Sequence, residues 1–176
     1  FLFAFSFFSC DESLTEIPKD FASPENSFTN KAGFEAALAN IYLTIRTHTY
    51  IGDGDIWSSF DLLGPDIDLG DLKVNNTTYD DGFYWNTLNF DSGFARKWWV
   101  RFYDWIFQAN TVIGRAEDPV AKWASEAEKN AIVGEAKFLR AFAYHFLANM
   151  YGGVPLVLEE TKGPKFDFTR ATQDEV

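Results

Sequence analysis

A long helical stretch that ends in a Gly-Gly-Val-Pro turn constrains the fold more than any other feature of the sequence. Residues 134–158 read GEAKFLRAFAYHFLANMYGGVPLVL. Apolar residues recur here at steps of three and four, the spacing that places side chains on one face of a helix. The predicted apolar face consists of Ala131, Leu139, Phe142, Ala143, Phe146, Leu147 and Met150. Because this face must be buried, we expect another helix to pack against it.

Both ends of this helix carry sequence signals. Ser125 and Glu128 have the spacing of a capping box, so the helix is predicted to begin with the residue after Ser125. Gly152 and the glycine after it predict a left-handed stop, and Pro155 follows where a helix cannot continue. The chain is therefore predicted to turn sharply into an extended run that ends at Leu158.

Two further segments predict helices that supply the packing partners. Asn30 to Thr47 carries an apolar stripe of Phe34, Leu38, Ile41 and Ile45. Phe94 to Arg115 carries a stripe of Trp99, Phe102, Tyr103, Ile106, Ala109, Asn110 and Ile113. The short connection after the second helix makes the second and third helices an antiparallel hairpin. Because a buried amide must be hydrogen-bonded, we expect Asn110 to join two helices.

These helices together resemble the SusD/RagB family of nutrient-binding outer-membrane lipoproteins. The resemblance is carried by GEAKFLRAFAYHFLANMYGGVPLV, by AALANIY at residues 36–42 and by WWVRFYDWIFQANTVI in the second helix. It implies an all-α fold of tetratricopeptide-like helical hairpins with a long irregular loop insertion. Members of the family are much longer, so residues 29–176 are expected to be the N-terminal helical region, truncated before the rest of the fold.

The first residues are expected to be the end of a truncated lipoprotein signal peptide, residues 1–9. FLFAFSFF spans about 12 Å as a helix, against about 30 Å of membrane hydrocarbon, so it is too short to cross a membrane. A serine precedes Cys10, the single cysteine, and Asp11 and Glu12 follow it. The resemblance implies that Cys10 is the lipid anchor at the outer membrane. Residues 10–28 contain two prolines and few periodic apolar residues, so they are expected to be an extended tether.

Residues 50–93 form a long segment without helical periodicity between the first two predicted helices. A loop this long in a compact domain is usually functional or disordered, and its many aromatic residues argue against disorder. Rings beside Asp and Asn suit carbohydrate, because a sugar's C–H face stacks on a ring while carboxylates and amides accept hydroxyl protons. The predicted glycan-binding residues are Trp57, Asp66, Asp68, Tyr79, Tyr84 and Trp85. The alternative is that these rings pack the loop onto the helices.

Other chemistries are disfavoured by the same sequence. A net charge of −11 argues against binding to nucleic-acid phosphates. Glycoside hydrolysis needs two carboxylates held about 5 to 9 Å apart on a rigid frame, and nothing fixes such a pair here, so no catalytic residue is expected. The spacing of Asp66, Asp68 and Asp71 suits calcium but lacks the rest of an EF-hand pattern. His48 and His145 have no partner at zinc spacing, so neither a metal nor a cofactor is expected.

The family resemblance implies a surface lipoprotein that captures a glycan or oligosaccharide. It also implies delivery of that ligand to a SusC-type TonB-dependent outer-membrane transporter, without making or breaking a bond. Two alternatives stay open: capture of a peptide, as in the RagB branch, and a helical-repeat scaffold that binds proteins and no small ligand. A glycan site needs exposed rings in residues 50–93, whereas a scaffold would bury them.

Overall fold

Three long helices form the described part of the protein. The structure is a computed structural model that describes residues 24–51 and 93–176. The long helices are α1 (Lys31–Arg46), α2 (Gly93–Arg115) and α3 (Glu126–Tyr151). Their boundaries lie within one residue of the predicted ones. The described ranges contain helices and no strand, which confirms the predicted all-α class, while the tetratricopeptide-like arrangement stays a prediction.

Three single turns flank these helices. They are an α-helical turn at Pro24–Ser27, a π-helical turn at Thr47–Ile51 and a 3₁₀ turn at Gln173–Glu175. The first turn lies within the last part of the predicted tether, residues 10–28, where extended chain was expected. A proline suits the first position of a helix, because its missing N–H would have no intrahelical partner there. The turn packs so closely on α1 that a Cβ on Gly33 would overlap the Ser27 carbonyl group.

The ends of α3 form as their sequence signals predict. Ser125 has extended backbone, and its Oγ accepts a hydrogen bond from the Glu128 N–H at 3.2 Å. The Glu128 carboxylate accepts in return from the Ala124 N–H, one residue before the usual partner. At the other end Gly152 has a φ of 71°, a conformation that favours glycine, and its N–H donates to the Ala148 carbonyl at 3.0 Å.

Helices α2 and α3 form the predicted antiparallel hairpin. At one end the Tyr151 hydroxyl donates to the Ala95 carbonyl at 2.6 Å. In the middle the rings of Phe102 and Phe146 stack with centroids 5.7 Å apart. At the opposite end the Lys129 ammonium group lies 2.7 Å from the carboxylate of Glu117. Contacts in this order along both helices define an antiparallel pair.

Helix α1 is also antiparallel to α2. The residue before its N-cap, Thr29, accepts from the Lys122 N–H at 2.9 Å in the connection that follows α2. Further along, the Asn40 amide donates to the Gln108 side chain at 2.9 Å. As a result, the C-terminal ends of α1 and α3 lie at the same end of the unit as the N-terminus of α2.

The buried core differs in part from the predicted apolar stripes. The stripe of α1 is buried as predicted. In α2 the fully buried rings include Trp98 and Trp105, which the prediction missed, whereas Trp99, Tyr103 and Ile113 are half-buried. The prediction placed a single narrow stripe on α2. Because α2 packs against both α1 and α3, a wider arc of its surface is buried.

The predicted face of α3 was rotated slightly from the observed one. The prediction was wrong for Ala131, which is exposed, and the half-buried positions are Phe142, Phe146 and Met150. The buried face runs instead through Ile132, Val133, Ala136, Leu139, Ala143, Tyr144 and Leu147. This face meets both other long helices. It also includes Tyr144, whose hydroxyl bonds to the extended segment after the helix, a contact that periodicity does not show.

Candidate functional site

The predicted glycan-binding residues lie outside the described residues. They are Trp57, Asp66, Asp68, Tyr79, Tyr84 and Trp85. The predicted anchor Cys10 lies outside them as well. The structure instead shows the framework on both sides of the predicted ligand-binding segment, with the turn Thr47–Ile51 before it and α2 after it. The turn and the start of α2 lie at the end of the three-helix unit where α3 ends, and we call this end the loop end.

Aromatic rings are concentrated in the helices at the loop end. Trp99 makes a T-shaped contact with Tyr151 at a centroid distance of 5.2 Å and lies 5.0 Å from the ring of Tyr103. On the inner side of α2, Trp98 stacks on Phe102 at 5.5 Å. The inner pair is fully buried and the outer rings are half-buried. These contacts tie the start of α2 to the end of α3.

A set of polar side chains, which we call the polar clamp, holds the extended segment after α3. The clamp consists of Tyr103 and Asn110 on α2 and Arg140 and Tyr144 on α3. The Tyr103 hydroxyl donates to the Pro155 carbonyl at 2.7 Å, and the Asn110 amide donates to the Val157 carbonyl at 2.8 Å. The Tyr144 hydroxyl donates to the same Val157 carbonyl at 3.1 Å and accepts from the Val157 N–H at 2.6 Å. Side chains thus satisfy backbone groups that lack a neighbouring strand.

Within the clamp, Arg140 on α3 links that helix to Asn110 on α2 and to the extended segment. One guanidinium nitrogen donates to the Asn110 side-chain oxygen at 2.8 Å and to the Leu158 carbonyl at 2.9 Å. Asn110 is 1% exposed and therefore depends on this partner. The bond confirms that Asn110 joins two helices. The role of Arg140 was not predicted from the sequence, because its acceptors lie 30 and 18 residues away along the chain.

A charged pair closes the far end of the same segment. The Nε and Nη2 atoms of Arg115, at the end of α2, donate to one carboxylate oxygen of Glu160 at 3.0 and 2.9 Å. The two side chains are 17% and 10% exposed, so solvent screens this pair only partly. Residues from Val154, which is fully buried, to Glu160 are therefore held against the hairpin at both ends.

The tyrosines of this framework remain neutral donors. Burial raises the pKa of Tyr151 to about 12. Burial and the neighbouring Tyr144 raise the pKa of Tyr103, while Arg170 partly offsets the rise. The pKa of Tyr144 is raised as well, mainly by burial. Because each phenol keeps its proton near neutral pH, the hydrogen bonds of the clamp do not change with pH in the physiological range.

Two exposed rings follow the clamped segment and were not among the predicted site residues. Phe166 is 91% exposed and Phe168 is 46% exposed. The ammonium group of Lys165 lies 5.5 Å from the centre of the Phe168 ring. The sequence signal for this feature is the Phe-Asp-Phe alternation after a Gly-Pro pair, since alternate residues of extended chain share one side.

Within 24–51 and 93–176, no group of three or more His, Cys, Asp or Glu side chains is arranged to hold a metal ion. In this part of the chain, no helix combines the length and apolar character that crossing a membrane requires. His145 is exposed on α3, where its ring lies 5.6 Å from that of Phe146.

Comparison with known proteins extends over almost the whole chain. A family model described as starch-binding and associating with the outer membrane matches residues 19–176. SusD-like protein P25 of Formosa agariphila is 26% identical over 174 residues, which cover 90% of this chain and 31% of that protein. SusD-like protein P2 of the same bacterium is 28% identical over 155 residues, which cover 82% of this chain and 27% of that protein.

A SusD-like protein of Bacteroides ovatus is 34% identical over a shorter stretch of 64 residues, 36% of this chain and 12% of that protein. No solved structure matches the chain. The chain spans less than a third of the length of the Formosa relatives that it matches.

Proposed function

Because the chain belongs to the SusD-like family of starch-binding proteins that associate with the outer membrane, we propose that it binds a glycan and delivers it for uptake. The family match over residues 19–176 carries this proposal. The family consists of binding proteins, so the proposed mechanism is capture and release of an intact oligosaccharide without catalysis. The ligand class that we propose, on the basis of the family description, is an α-glucan of the starch type.

The proposed glycan site is the segment of residues 50–93 with its alternating aromatic and acidic residues. Trp57, Tyr79, Tyr84 and Trp85 provide rings for the C–H faces of sugars, and Asp66 and Asp68 provide hydroxyl acceptors. The described framework supports this proposal, since the turn before the segment and the start of the helix after it both lie at the loop end. Contacts of Tyr151 with Trp99 and Ala95 hold the start of that helix against the end of α3.

Calorimetry with maltooligosaccharides tests the site directly. Trp57→Ala and Trp85→Ala are each expected to weaken binding about tenfold, because a lost stacking ring costs about 1.4 kcal/mol. Their melting temperatures are expected to stay nearly unchanged. Phe166→Ala removes a 91% exposed ring outside the proposed site and is the matched control, with unchanged affinity expected.

Other outcomes of this titration, or of a glycan array, would reject the proposed site or the proposed ligand. Lost stability with unchanged affinity would place Trp57 and Trp85 in the core. A wild-type protein that binds no glycan on an array but binds peptides would reject the glycan proposal in favour of the peptide alternative. Loss of affinity in Phe166→Ala alone would move the site to the segment after the polar clamp.

The proposed location is the outer membrane surface, with Cys10 as the lipid anchor and a SusC-type TonB-dependent transporter as partner. The apolar leader before Cys10 and the acidic pair after it support the anchor. Each buried CH₂ of an acyl chain contributes about 0.8 kcal/mol, so several chains hold a protein firmly on a membrane. The transporter is proposed from family membership alone.

Fractionation of a suitable host with and without the transporter gene tests the anchor and the partner together. Cys10→Ala is expected to move to the soluble fraction when the transporter is absent and to be partly retained at the membrane when it is present. Wild-type protein should stay in the outer-membrane fraction in both strains. Full membrane retention of Cys10→Ala without the transporter would disprove the anchor, and equal release in both strains would disprove the partner.

A further inference from the structure

We propose that the loop of residues 161–169, which we call the Phe loop, contacts the anionic lipid surface of the membrane. All of its residues after Thr161 are exposed. Phe166 is 91% exposed, the highest value among the large apolar side chains of the described residues, and Phe168 is 46% exposed. Because apolar surface in water is unfavourable, two rings presented together indicate contact with another surface.

Both ends of the Phe loop are fixed to the hairpin. Before the loop, the Glu160 carboxylate accepts hydrogen bonds from Arg115 at the C-terminal end of α2. After the loop, the Arg170 guanidinium group donates to the Gly153 carbonyl, and Arg170 pairs with Pro155 in an isolated antiparallel bridge. The loop is therefore an anchored part of the surface, and its exposed rings do not belong to a frayed chain end.

Positive charge accompanies the rings of the Phe loop. The loop contains Lys162 and Lys165 and a single carboxylate, Asp167, in a chain whose net charge is −11. The Lys165 ammonium group lies 5.5 Å from the centre of the Phe168 ring. A basic side chain beside a ring can keep its stem in an apolar layer and its charge at the level of phosphate groups. The composition of the loop is therefore that of a membrane-interface contact.

The shape of the Phe loop fits a lipid surface better than a protein partner. A specific protein interface buries about 800 Å² on each partner and surrounds its central rings with well-packed neighbours. Phe166 is 91% exposed, so a protein partner would have to supply a deep pocket for this ring alone. A bilayer accepts protruding rings without such a pocket, because its interface places anionic phosphate groups beside hydrocarbon. Charge and shape together therefore favour an anionic lipid surface.

The proposed lipid anchor brings the membrane within reach of the Phe loop. The chain from Cys10 to Pro24, the first described residue, spans at most about 46 Å. Helix α3 has 26 residues and is about 39 Å long. Because the tether can exceed the length of the longest helix, the loop can lie on the membrane that holds Cys10. The inference rests on the proposed outer-membrane location and does not depend on the glycan.

The contact is weak by itself and acts on a protein that the anchor already holds. Two rings bury less apolar surface than a myristoyl chain, and a single myristoyl chain gives only reversible membrane binding. An anchored protein meets the membrane at high effective concentration, so the same weak contact orients the three-helix unit on the surface. Protein without the anchor is still released on dilution, as the fractionation experiment expects.

Sedimentation with vesicles tests the contact on the full-length gene product carrying Cys10→Ala. We expect this protein to bind vesicles of phosphatidylcholine and phosphatidylglycerol in equal parts. Phe166→Ala should weaken binding about tenfold, because less apolar surface leaves water. Lys165→Gln should weaken binding about fivefold on these vesicles and should have no effect on pure phosphatidylcholine.

Phe107→Ala and Lys137→Gln are the matched controls for the vesicle experiment. Both remove exposed side chains of the same types outside the Phe loop, so unchanged binding is expected. The absence of vesicle binding, or equal effects of Phe166→Ala and Phe107→Ala, would overturn the proposal.

A solvent-sensitive dye reports whether the loop itself enters the lipid. In the Cys10→Ala background, dye on Phe166→Cys should shift its emission to shorter wavelength when vesicles are added, whereas dye on Lys137→Cys should not. Short-wavelength emission before lipid is added would show that another part of the full-length chain covers the loop, and would overturn the proposal. Membrane retention that Phe166→Ala abolishes only in the strain with the transporter would assign the loop to that protein instead. A failed glycan or anchor test would leave these vesicle results unchanged, so the failures are distinguishable.

Discussion

Phe102→Ala is expected to lower the free energy of unfolding by about 3 to 5 kcal/mol. The ring is fully buried and packs against Trp98, Trp105 and Phe146 with centroids 5.4 to 5.7 Å apart. Its removal therefore loses contacts on several sides and leaves a cavity that these large rings fill poorly. The melting temperature should fall by about 6 to 20 °C, as measured by circular dichroism.

Phe107→Ala is the matched control for this experiment. Phe107 lies on the same helix but is 47% exposed, so its removal is expected to change stability by about 0.5 kcal/mol or less. Phe146→Ala should give an intermediate effect, because that ring is half-buried. Equal losses in Phe102→Ala and Phe107→Ala would show that the buried arc of α2 is assigned to the wrong side.

Arg140→Ala is expected to lower the free energy of unfolding by about 2 to 3 kcal/mol. The substitution removes a charged donor from the Leu158 carbonyl and from the side-chain oxygen of Asn110. Asn110 is 1% exposed, so water cannot easily replace the lost partner. The extended segment should also detach more often, and trypsin should cleave faster after Lys162 and Lys165.

Lys137→Ala removes a basic side chain one turn earlier on the same helix and is the control for Arg140→Ala. Lys137 is exposed, so neither stability nor cleavage at Lys162 should change appreciably. The double variant Arg140→Met/Asn110→Leu should lose less stability than the two single variants lose together. Each single variant leaves the other side chain without its hydrogen-bond partner, whereas the double variant removes both polar groups. Additive losses, or unchanged trypsin cleavage in Arg140→Ala, would contradict the role of the clamp.

Local signals explain why the helix boundaries could be predicted within one residue. The capping contact of Ser125 with Glu128 joins groups three residues apart. Gly152 ends α3 through its own backbone conformation, a φ of 71°. The stripe of α1 was predicted in full because this helix contributes one narrow face to the core. Features that depend on neighbours within a few positions can be read from the sequence without the fold.

The predicted glycan-binding residues, from Trp57 to Trp85, remain predictions because they lie outside the described ranges, whereas the predicted helices lie within them. The signature around Arg140 pointed to the family, and the comparison over residues 19–176 confirmed it. The structure then gave the signature a physical role, since Arg140 and the Gly-Gly-Val-Pro turn place the extended segment on the hairpin.

By itself, the sequence determined the helices, their ends, the antiparallel hairpin and the family. Only the tertiary structure decided which arc of α2 is buried, because that arc depends on the positions of both neighbours. It also decided the partners of Asn110, whose amide reaches Val157 across 47 residues of chain. Propensity and capping act within one helical turn, whereas burial and long-range hydrogen bonds depend on which segments meet after the chain has folded.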